Sequence, residues 1–558
     1  MKILILGGYG VFGGRLAALL ADTAGLEMLI AGRNLARAKQ TCAQLKGAAI
    51  ATPLALDRMA LAARLEALAV DLVVDASGPF QAYGAGGDDP YSVIKACLQA
   101  RVNYMDFADA ADFVFAVSQF DQAARAAGIF VLSGVSSFPV LTAAVLRELA
   151  REMEIVSARG GIAPSPYAGI GLNVMRAVVG YAGAPVKLMR EGAMTTAPGL
   201  AESLRYTIAV PGHLPLRNIH FSLVDVPDLQ VIPPEHPKMR DIWMGAGPVP
   251  EVLHRTLNLL AKARAAFNLP SLQPLSKLFY TVLNLMKFGE HRGGMFVHAL
   301  GMKDGAPVER SWHLLAEGDD GPLIPSMAVE ALVRKCLNGT GPENGARPAT
   351  KALSLADYEA LFERRKIYAG FRDDLRADQP LYRRVLGAAY ADLPEAVQRI
   401  HDDTGARNWQ GMAQVKRGQG WLSKRIGGAF GFPSATDHIP VKVMFEPIEG
   451  GEKWTRQFGE AVFSSTQIIG AGRNAHLLVE RFGPVRVALA VVLRDEKLFL
   501  IPRRWSFLGL PLPRVLLPSG NSFEAELDGK FQFDVEIAAP LVGLIVGYRG
   551  VLEPVDAD

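Results

Sequence analysis

Residues 1–20 read "MKILILGGYGVFGGRLAALL", and this stretch decides between two interpretations of the chain. A basic start followed by an apolar run is typical of a secretory signal, but the run stops at Gly7 and four further glycines follow. Glycine is less favourable than alanine in a helix by about 1 kcal/mol, so a signal helix is unfavourable here. The stretch instead predicts a buried strand over residues 2–6, a tight turn, and a helix from Gly13.

The turn carries the pattern G-x-G-x-x-G at Gly8, Gly10 and Gly13, with Val11 and Phe12 inside it. In dinucleotide-binding folds the first glycine makes the turn and the second lets a pyrophosphate approach the backbone. The third lets the helix pack on the strand. The N–H groups at the start of the helix would bind the phosphates. The alternative is a glycine-rich turn without a ligand, because the motif alone has low specificity.

The end of the second predicted strand, "EMLIAG", favours NADP (NADPH) over NAD. An acidic residue at this position would accept a hydrogen bond from the ribose 2′-hydroxyl, but the sequence continues with Arg33 and Asn34. Arginine cannot accept such a bond, whereas it binds a 2′-phosphate well. The alternative is a solvent-exposed basic start of a helix.

Two further predicted strands also end in small or polar residues. "ATPLALD" ends at Asp57, and "DLVVDASGPF" ends in Ser77, Gly78 and Pro79. Small residues at the carboxyl end of a strand leave room for a cofactor, so we expect these four residues to contact the nucleotide. Strands that alternate with helical segments predict a doubly wound parallel sheet.

Several motifs resemble those of the saccharopine dehydrogenase-like oxidoreductases. They are "GGYGVFGGRLA", "AGRN", "DASGPFQAYG", "KACLQARVNYMDFADAADF" and "GVSSFP". The resemblance covers residues 1–370 and implies an N-terminal Rossmann domain, an inserted substrate domain and a nicotinamide cofactor. From Gln379 onward, "LYRRVLGAAYADLPEAVQRIHD" and "GKFQFDVEIAAPLVGLIVGYRGVLEP" resemble a domain of unknown function that is often fused behind this dehydrogenase.

We therefore predict an α/β protein with a Rossmann doubly wound parallel sheet over residues 1–150, closed by residues 320–370. An inserted α+β substrate domain is expected over residues 151–319, and an antiparallel β-rich domain over residues 379–558. The polar stretch "FRDDLRADQP" at residues 371–380 is typical of a linker. Short alternating runs in the last domain predict a curved antiparallel sheet, a half-barrel around a helix.

Composition excludes several classes of protein. Half of the 558 residues are hydrophobic, 21% are charged, and the net charge is +3. These values are typical of a packed globular protein with more than one core, and they indicate no nucleic-acid partner. The three cysteines, Cys42, Cys97 and Cys336, lie far apart, so we expect no disulfide, no metal site and a reducing compartment.

The sequence also limits which kinds of partner the protein can have. No stretch reaches the 18 or so consecutive apolar residues that a membrane-spanning helix needs. We expect a cytoplasmic protein with a small-molecule or lipid-like substrate. Peripheral membrane contact and a homodimer are left open.

Two segments offer candidate catalytic residues. In "NYMDFAD", Tyr104 is a candidate proton donor and Asp106 a candidate for orienting a substrate amine; the alternatives are a core tyrosine and a helix cap. In "GGMFVHALGMKDGAPVERSWHLLAEG", the turn signal Asp304-Gly305 predicts a hairpin that places His298 and His313 on one face. We take His298 as a third catalytic candidate, with a satisfied strand histidine as the alternative.

These observations predict an NADP-dependent oxidoreductase that reduces a C=C, C=N or C=O bond of a small or apolar, lipid-like metabolite. The apolar part of this prediction depends on the high hydrophobic content and on the extra sheet domain. The alternative is a non-catalytic, nucleotide-stabilised binding protein associated with lipid or membrane.

Overall fold

The structure is a computed structural model that describes residues 1–84, 86–373 and 378–555. Its residues form two compact units: unit 1 comprises Met1–Leu204 and Ile219–Ala369, and unit 2 comprises Arg205–Asn218 and Gly370–Asp558. Part of the predicted linker at residues 371–380 lies outside the described residues. The predicted division into three domains stays a prediction.

The secondary structure alternates strands and helices through the first 150 residues and consists mostly of strands after residue 407. The strands, in chain order, are β1 (Lys2–Leu6), β2 (Glu27–Gly32), β3 (Ile50–Ala55), β4 (Leu72–Asp75), β5 (Asn103–Asp106), β6 (Phe130–Ser133), β7 (Glu154–Ala163), β8 (Pro185–Arg190), β9 (Ala193–Pro198), β10 (Ser203–Tyr206), β11 (Ile219–Leu223), β12 (Asp241–Ala246), β13 (Arg292–Lys303), β14 (Ala306–Glu317), β15 (Gly345–Pro348), β16 (Ile367–Asp373), β17 (Arg407–Arg417), β18 (Thr436–Ile448), β19 (Gly451–Phe458), β20 (Ala461–Ile469), β21 (Leu478–Phe482), β22 (Val485–Arg494), β23 (Lys497–Phe507), β24 (Leu510–Pro511), β25 (Phe523–Leu527), β26 (Lys530–Ala539) and β27 (Gly543–Pro554). The α-helices are α1 (Val11–Leu20), α2 (Leu35–Gln44), α3 (Leu65–Leu68), α4 (Ser92–Ala100), α5 (Ala111–Ala116), α6 (Asp121–Ala127), α7 (Thr142–Leu149), α8 (Leu172–Tyr181), α9 (Asp228–Val231), α10 (Glu251–Phe267), α11 (Ser276–Leu285), α12 (Ile324–Leu337), α13 (Leu355–Phe362), α14 (Leu381–Leu386), α15 (Glu395–His401) and α16 (Trp421–Ala429).

A seven-stranded sheet forms the first half of unit 1, with the strand order β15-β6-β5-β4-β1-β2-β3. Its pairings are parallel, so the predicted doubly wound sheet is confirmed. The centre of β1 is completely buried at Ile3, Leu4 and Ile5, as expected of a parallel strand covered by helices on both faces. The opening stretch is therefore the central strand of a buried sheet.

A second sheet in unit 1 carries β11, β12, β7, β13 and β14 side by side. β12 and β7 are parallel, whereas β13 pairs with β7 and β14 in antiparallel fashion. In the hairpin β13–β14, Phe296 pairs with His313 and His298 with Ser311, which confirms the register predicted from the turn Asp304-Gly305. This mixed sheet with its helices α8, α10 and α11 forms the inserted part of unit 1.

Unit 2 is an antiparallel barrel, and it closes further than the predicted half-barrel. Nine neighbouring strand pairings run from β22 through β17 and β27 to β23, and β23 then pairs with β22, so ten strands form a ring. Closure leaves no long sheet edge unpaired. The helices α14 and α15 contribute buried side chains to the barrel core, in line with the predicted helix; these include Tyr382, Val397 and Ile400.

The contact between α1 and the turn before it offers a matched pair of substitutions. A Cβ at Gly13 would lie 2.4 Å from the Gly7 carbonyl oxygen, whereas a Cβ at Gly14 would meet nothing closer than 3.8 Å. We expect Gly13→Ala to lower the free energy of unfolding by about 1–3 kcal/mol, the usual effect of overpacking. Gly14→Ala should leave it unchanged or raise it by up to about 1 kcal/mol, because alanine favours a helix.

Denaturant unfolding followed by far-UV circular dichroism measures both variants. Equal gains for Gly13→Ala and Gly14→Ala would show that helix propensity, rather than the close contact, decides the outcome.

Candidate functional site

The nucleotide turn joins β1 to α1. The expected turn residue was Gly8, but the left-handed residue is Gly7 (φ +71°), where a Cβ would lie 2.6 Å from the Ala76 carbonyl oxygen. Gly8 instead lies against β2, where a Cβ would be 3.0 Å from Ile30 Cγ2. Gly10 is extended (φ −77°), so no left-handed strain arises there, and its N–H donates to Gly7 O at 2.7 Å.

The start of α1 fits a phosphate. The helix begins at Val11, two residues before the predicted start, and no side chain caps it at Gly10. Its first turn contains no acidic residue. The N–H groups of Val11, Phe12 and Gly13 lack partners within the helix, and an anion is the natural acceptor for them. A Cβ at Gly10 would lie 2.9 Å from the Gly7 carbonyl oxygen, so a side chain at this position would crowd the turn.

Tyr9 is a residue that the sequence interpretation missed. Its ring lies so close to Gly32 that a Cβ there would be 2.4 Å from Tyr9 Cε1, and the Asn34 N–H donates to its hydroxyl at 2.9 Å. The Arg37 guanidinium lies over the same ring, 5.0 Å from its centre. Asn34 also caps α2, and the neighbouring Arg33 side chain is exposed. Tyr9 therefore links the glycine-rich turn to the end of β2.

A buried polar group lies at the carboxyl end of β4. Ser77 donates to Asp75 Oδ1 through its N–H at 2.9 Å and through its hydroxyl at 2.5 Å. Tyr83 donates to Asp75 Oδ2 at 3.2 Å, and the two hydroxyls of Ser77 and Tyr83 lie 2.7 Å apart. Burial raises the pKa of Asp75. Ser77, a predicted cofactor contact, is thus held in place by a carboxyl that the sequence interpretation did not select.

The remaining predicted contacts are Asp57, Gly78 and Pro79. Asp57 follows β3 and its Oδ1 accepts from the Met59 N–H at 3.0 Å, in a short turn. Gly78 accepts a hydrogen bond through its carbonyl from Asn173 Nδ2 of α8 at 3.0 Å, and Pro79 follows it directly. The inserted part of unit 1 therefore touches the loop in which we expect the cofactor to bind.

Tyr104 and Asp106 are both buried within β5. One carboxylate oxygen of Asp106, Oδ1, accepts from the Ala108 N–H at 2.9 Å, the Gly134 N–H at 2.7 Å and the Ser133 hydroxyl at 3.1 Å. Burial raises the pKa of Asp106 to about 7. These bonds hold together the carboxyl ends of β5 and β6. The catalytic roles predicted for Tyr104 and Asp106 stay predictions.

A cavity of about 380 Å³ opens beside the nucleotide turn within unit 1. Val11 and Phe12 of α1 line one side, and Ser136 and Ser137 after β6 line another. The rest of the wall is mostly apolar and comes from the inserted part: Val174, Val178, Leu253, Leu257, Phe279 and Leu283. Ligands of doubly wound sheets bind outside the carboxyl ends of the strands, which is where this cavity lies.

His298 lies on the hairpin face shared with His313, and its Nε2 is 2.5 Å from Glu309 Oε1. Side chains alternate between the two faces of a sheet, so Met295 and Leu314 point the other way. Met295 and Leu314 line the cavity of unit 1, and His298 does not. The structure therefore brings His298 to neither the nucleotide turn nor this cavity, and its catalytic role stays a prediction.

The polar side chains of the cavity wall include two carboxyls and a phenol, Asp109, Asp225 and Tyr181, beside Arg15 and His254. Burial, with the negative charges of Asp112 and Asp109 adding to it, raises the pKa of Asp225 to about 6. Burial also raises the pKa of Asp109, whose Oδ1 accepts from Gln81 Nε2 at 3.0 Å. A carboxyl whose pKa is raised toward neutral pH, inside an apolar cavity, is suited to general acid chemistry.

Sequence reasoning missed both carboxyls. Asp109 follows β5 at the carboxyl edge of the sheet, so the rule that ligands bind at this edge could have selected it. Asp225 lies after β11 in "FSLVDVPDL", with no motif around it; only the fold brings it to the cavity.

The described ranges contain neither a metal cluster nor a spanning helix. No group of three His, Cys, Asp or Glu side chains there is placed to hold a metal ion. No helix in the part of the chain that the structure describes is long and apolar enough to cross a bilayer.

Comparison with known families agrees with this geometry. Residues 3–132 match the family described as "Saccharopine dehydrogenase NADP binding domain". This segment is therefore similar to the nucleotide-binding domain of saccharopine dehydrogenases. Residues 393–552, within the barrel, match a domain of unknown function, DUF4166. The resemblance seen in the sequence is confirmed, and the match supports an oxidoreductase that uses a nicotinamide cofactor.

Solved structures similar to the chain include saccharopine dehydrogenase (L-Glu forming) from Saccharomyces cerevisiae. Its identity is 14% and its TM-score 0.45, and the match covers 67% of this chain and 99% of that one. Amine dehydrogenase from Mycobacterium smegmatis is similar at 10% identity and a TM-score of 0.34, covering 64% of this chain and 96% of that one. With such scores, neither bears on substrate or reaction. No curated protein matches the chain significantly in sequence.

The raised pKa of Asp225 predicts a pH-dependent stability. An unfolded aspartate titrates near pH 3.9, so between about pH 4 and pH 6 the folded protein binds one more proton and loses stability as the pH rises. Asp225→Asn removes this loss. Since one pKa unit corresponds to about 1.4 kcal/mol, the gain of the variant in free energy of unfolding should be about 2–3 kcal/mol larger at pH 8 than at pH 4.

Thermal and denaturant unfolding at both pH values measure this difference. Glu66→Gln, at an exposed position of unit 1, is the control and should show no such dependence. A gain for Asp225→Asn that is the same at both pH values would contradict the raised pKa.

Proposed function

We propose that the protein is an NADPH-dependent oxidoreductase that reduces a C=C, C=N or C=O bond of an apolar, lipid-like metabolite. One observation carries the proposal: an apolar cavity, lined by Asp225 and Asp109 whose pKa values are raised by burial, opens directly beside the nucleotide turn. Apolar walls favour a hydrocarbon substrate and exclude water from the reacting atoms.

A reduced nicotinamide bound at this turn would supply a hydride to the substrate carbon. The side chains of the cavity have the remaining tasks. The Asp225 carboxyl gives its proton to the second atom of the double bond and regains one from solvent afterwards. Val11 and Phe12 touch both the nucleotide turn and the cavity, and so hold the two ligands side by side.

Selection of NADPH is assigned to the end of β2. The exposed Arg33 lies in the chain between Gly32 and Asn34, which both approach Tyr9, and Arg37 covers the ring of Tyr9. A guanidinium binds a phosphate through two parallel hydrogen bonds, which an ammonium group cannot do. Tyr9 gives this pair of arginines a rigid base, since its hydroxyl is held by the Asn34 N–H.

We propose in addition that the protein is cytoplasmic and that its chain is divided into three domains. The cysteines Cys42, Cys97 and Cys336 are all free thiols, as a reducing compartment favours. A homodimer and peripheral membrane contact are left open.

Arg33→Ala tests the choice of cofactor. The variant should bind NADPH roughly tenfold to hundredfold more weakly and NADH unchanged, because it loses only a charge-assisted bond to the 2′-phosphate. Titration calorimetry with both nucleotides measures this. Arg151→Ala, which removes an exposed arginine outside this site, is the control. Equal weakening of both nucleotides would remove Arg33 from 2′-phosphate recognition.

Asp225→Asn tests the reaction. The protein is incubated with deuterium-labelled NADPH and fractionated cell lipids, and mass spectrometry detects lipids that gain one deuterium. We expect the variant to bind NADPH as the wild type does and to lose roughly 100-fold or more of the rate, as with other general acids. The wild-type rate should fall above about pH 6, where Asp225 loses its proton.

Full activity of Asp225→Asn would assign the proton to another group. Tight NADPH binding without transfer of deuterium to any lipid fraction would favour the non-catalytic binding protein.

A further inference from the structure

The barrel of unit 2 encloses a second cavity, of about 470 Å³. Side chains at every second position of its strands line it, as the inner face of a barrel requires. Most are aliphatic or aromatic, such as Val443, Phe445, Val487, Leu489, Phe533 and Tyr548. The volume lies within the range of small-molecule sites and is about three times the 150 Å³ that suffices for benzene in an apolar cavity.

A connected polar group lies on one side of this cavity. Arg456 donates through Nη1 to the Ser465 hydroxyl at 2.9 Å and through Nη2 to Glu480 Oε1 at 3.3 Å. The Ser465 hydroxyl and Gln467 Nε2 donate to the same oxygen at 2.7 and 3.2 Å. Tyr382 donates in turn to Gln467 Oε1 at 3.2 Å. These side chains are nine-tenths buried, so the group is built into the barrel interior.

Trp454, next to this polar group, carries a hydrogen-bond donor without an acceptor among the described residues. Its side chain is 94% buried and lines the cavity, yet within the described ranges nothing accepts a hydrogen bond from its indole Nε1–H. The Arg456 guanidinium lies over the same indole, 4.9 Å from the ring centre. A buried donor without an acceptor is unfavourable by about 1–3 kcal/mol. Nε1 itself is sealed from water, so a small shift of the indole toward the cavity would bring the N–H to a ligand oxygen and remove that penalty.

The charges select the kind of ligand. Arg456 and Glu480 already neutralise each other, and the carboxylate of Glu524, which also lines the cavity, lies 2.6 Å from His401 Nε2. A further carboxylate in the cavity would therefore be a buried charge without a counterion. A neutral oxygen, by contrast, can accept from Trp454 without disturbing the pair. We propose that the barrel is a binding site for a long-chain, uncharged amphiphile, with its alcohol or carbonyl oxygen at Trp454 and its hydrocarbon chain among the aliphatic and aromatic side chains. This site is separate from the reaction proposed for unit 1.

The two ends of the barrel differ, and the difference shows where such a ligand enters. At one end, α15 lies against the β25–β26 turn, where the Ala396 N–H donates to Glu526 at 2.9 Å. The opposite end, marked by the pairs Val485–Phe507 and Ala539–Gly543, carries exposed apolar side chains. These side chains are Trp421, Leu508, Leu510, Val515 and Leu541, each at least 70% exposed. An amphiphile enters at this apolar end.

The test uses the full chain and a neutral fluorescent amphiphile, N-phenylnaphthylamine, displaced by hexadecanol or by palmitate. Hexadecanol should displace the probe at concentrations at least tenfold lower than palmitate. Val487→Phe fills the cavity and should weaken probe binding at least tenfold. Its control is Val462→Phe, at a 52% exposed position of β20, which should bind as the wild type does. Trp454→Phe keeps a ring but loses the N–H, and should weaken hexadecanol binding about three- to tenfold.

The melting curve and NADPH titration of each variant should be unchanged. A result that contradicts the barrel site can then be distinguished from one that contradicts the reaction proposed for unit 1. If Val487→Phe does not fold, Trp454→Phe decides. Wild-type hexadecanol binding by a folded Trp454→Phe would overturn the role of the indole. Probe binding that survives in a folded Val487→Phe but is lost in Leu253→Trp, which fills the unit 1 cavity, would overturn the barrel site. Stronger displacement by palmitate would overturn the neutral head group.

Discussion

The close contact between α1 and the turn before it is the constraint on which unit 1 depends. Gly13 lies so near the Gly7 carbonyl oxygen that position 13 leaves no space for a side chain, and Gly7 in turn packs against the Ala76 carbonyl oxygen. This contact brings the start of α1 to the carboxyl edge of the sheet, where its N–H groups face outward. Val11 and Phe12 then become part of the cavity wall. The close contact between Gly13 and the Gly7 carbonyl thus places the nucleotide turn and the substrate cavity beside each other.

Much of unit 1 could be predicted because its signals are local. The apolar run of residues 2–6 and the glycines after it identify a strand and a turn without any knowledge of the rest of the chain. The hairpin register followed from the single turn Asp304-Gly305, since each residue added on one strand is matched on the other. The sequence was less informative about which glycine makes the turn. The left-handed residue is Gly7 rather than Gly8, because the turn contacts the end of β4, which is far away in sequence.

The candidate site was harder to predict than the fold for the same reason. Asp225 and Asp109 meet at the cavity only because two sheets from different segments pack together. Tyr9 was visible in the motif, but its contact with Gly32 requires the geometry of two strands. Closure of the barrel depends on the pairing of β22 with β23, and alternating sequence predicts a curved sheet equally well whether or not its edges meet.

The place of β15 has a consequence for the synthesis of the chain. Gly345 pairs with Phe130, and the whole inserted part lies between them in sequence. While a ribosome makes the chain, β6 therefore stays an uncovered strand edge until the inserted part is complete. Such an edge is prone to pair with other chains, and contacts of long sequence separation form slowly. Folding of the nucleotide-binding sheet is thereby tied to the inserted part, although the two form separate sheets.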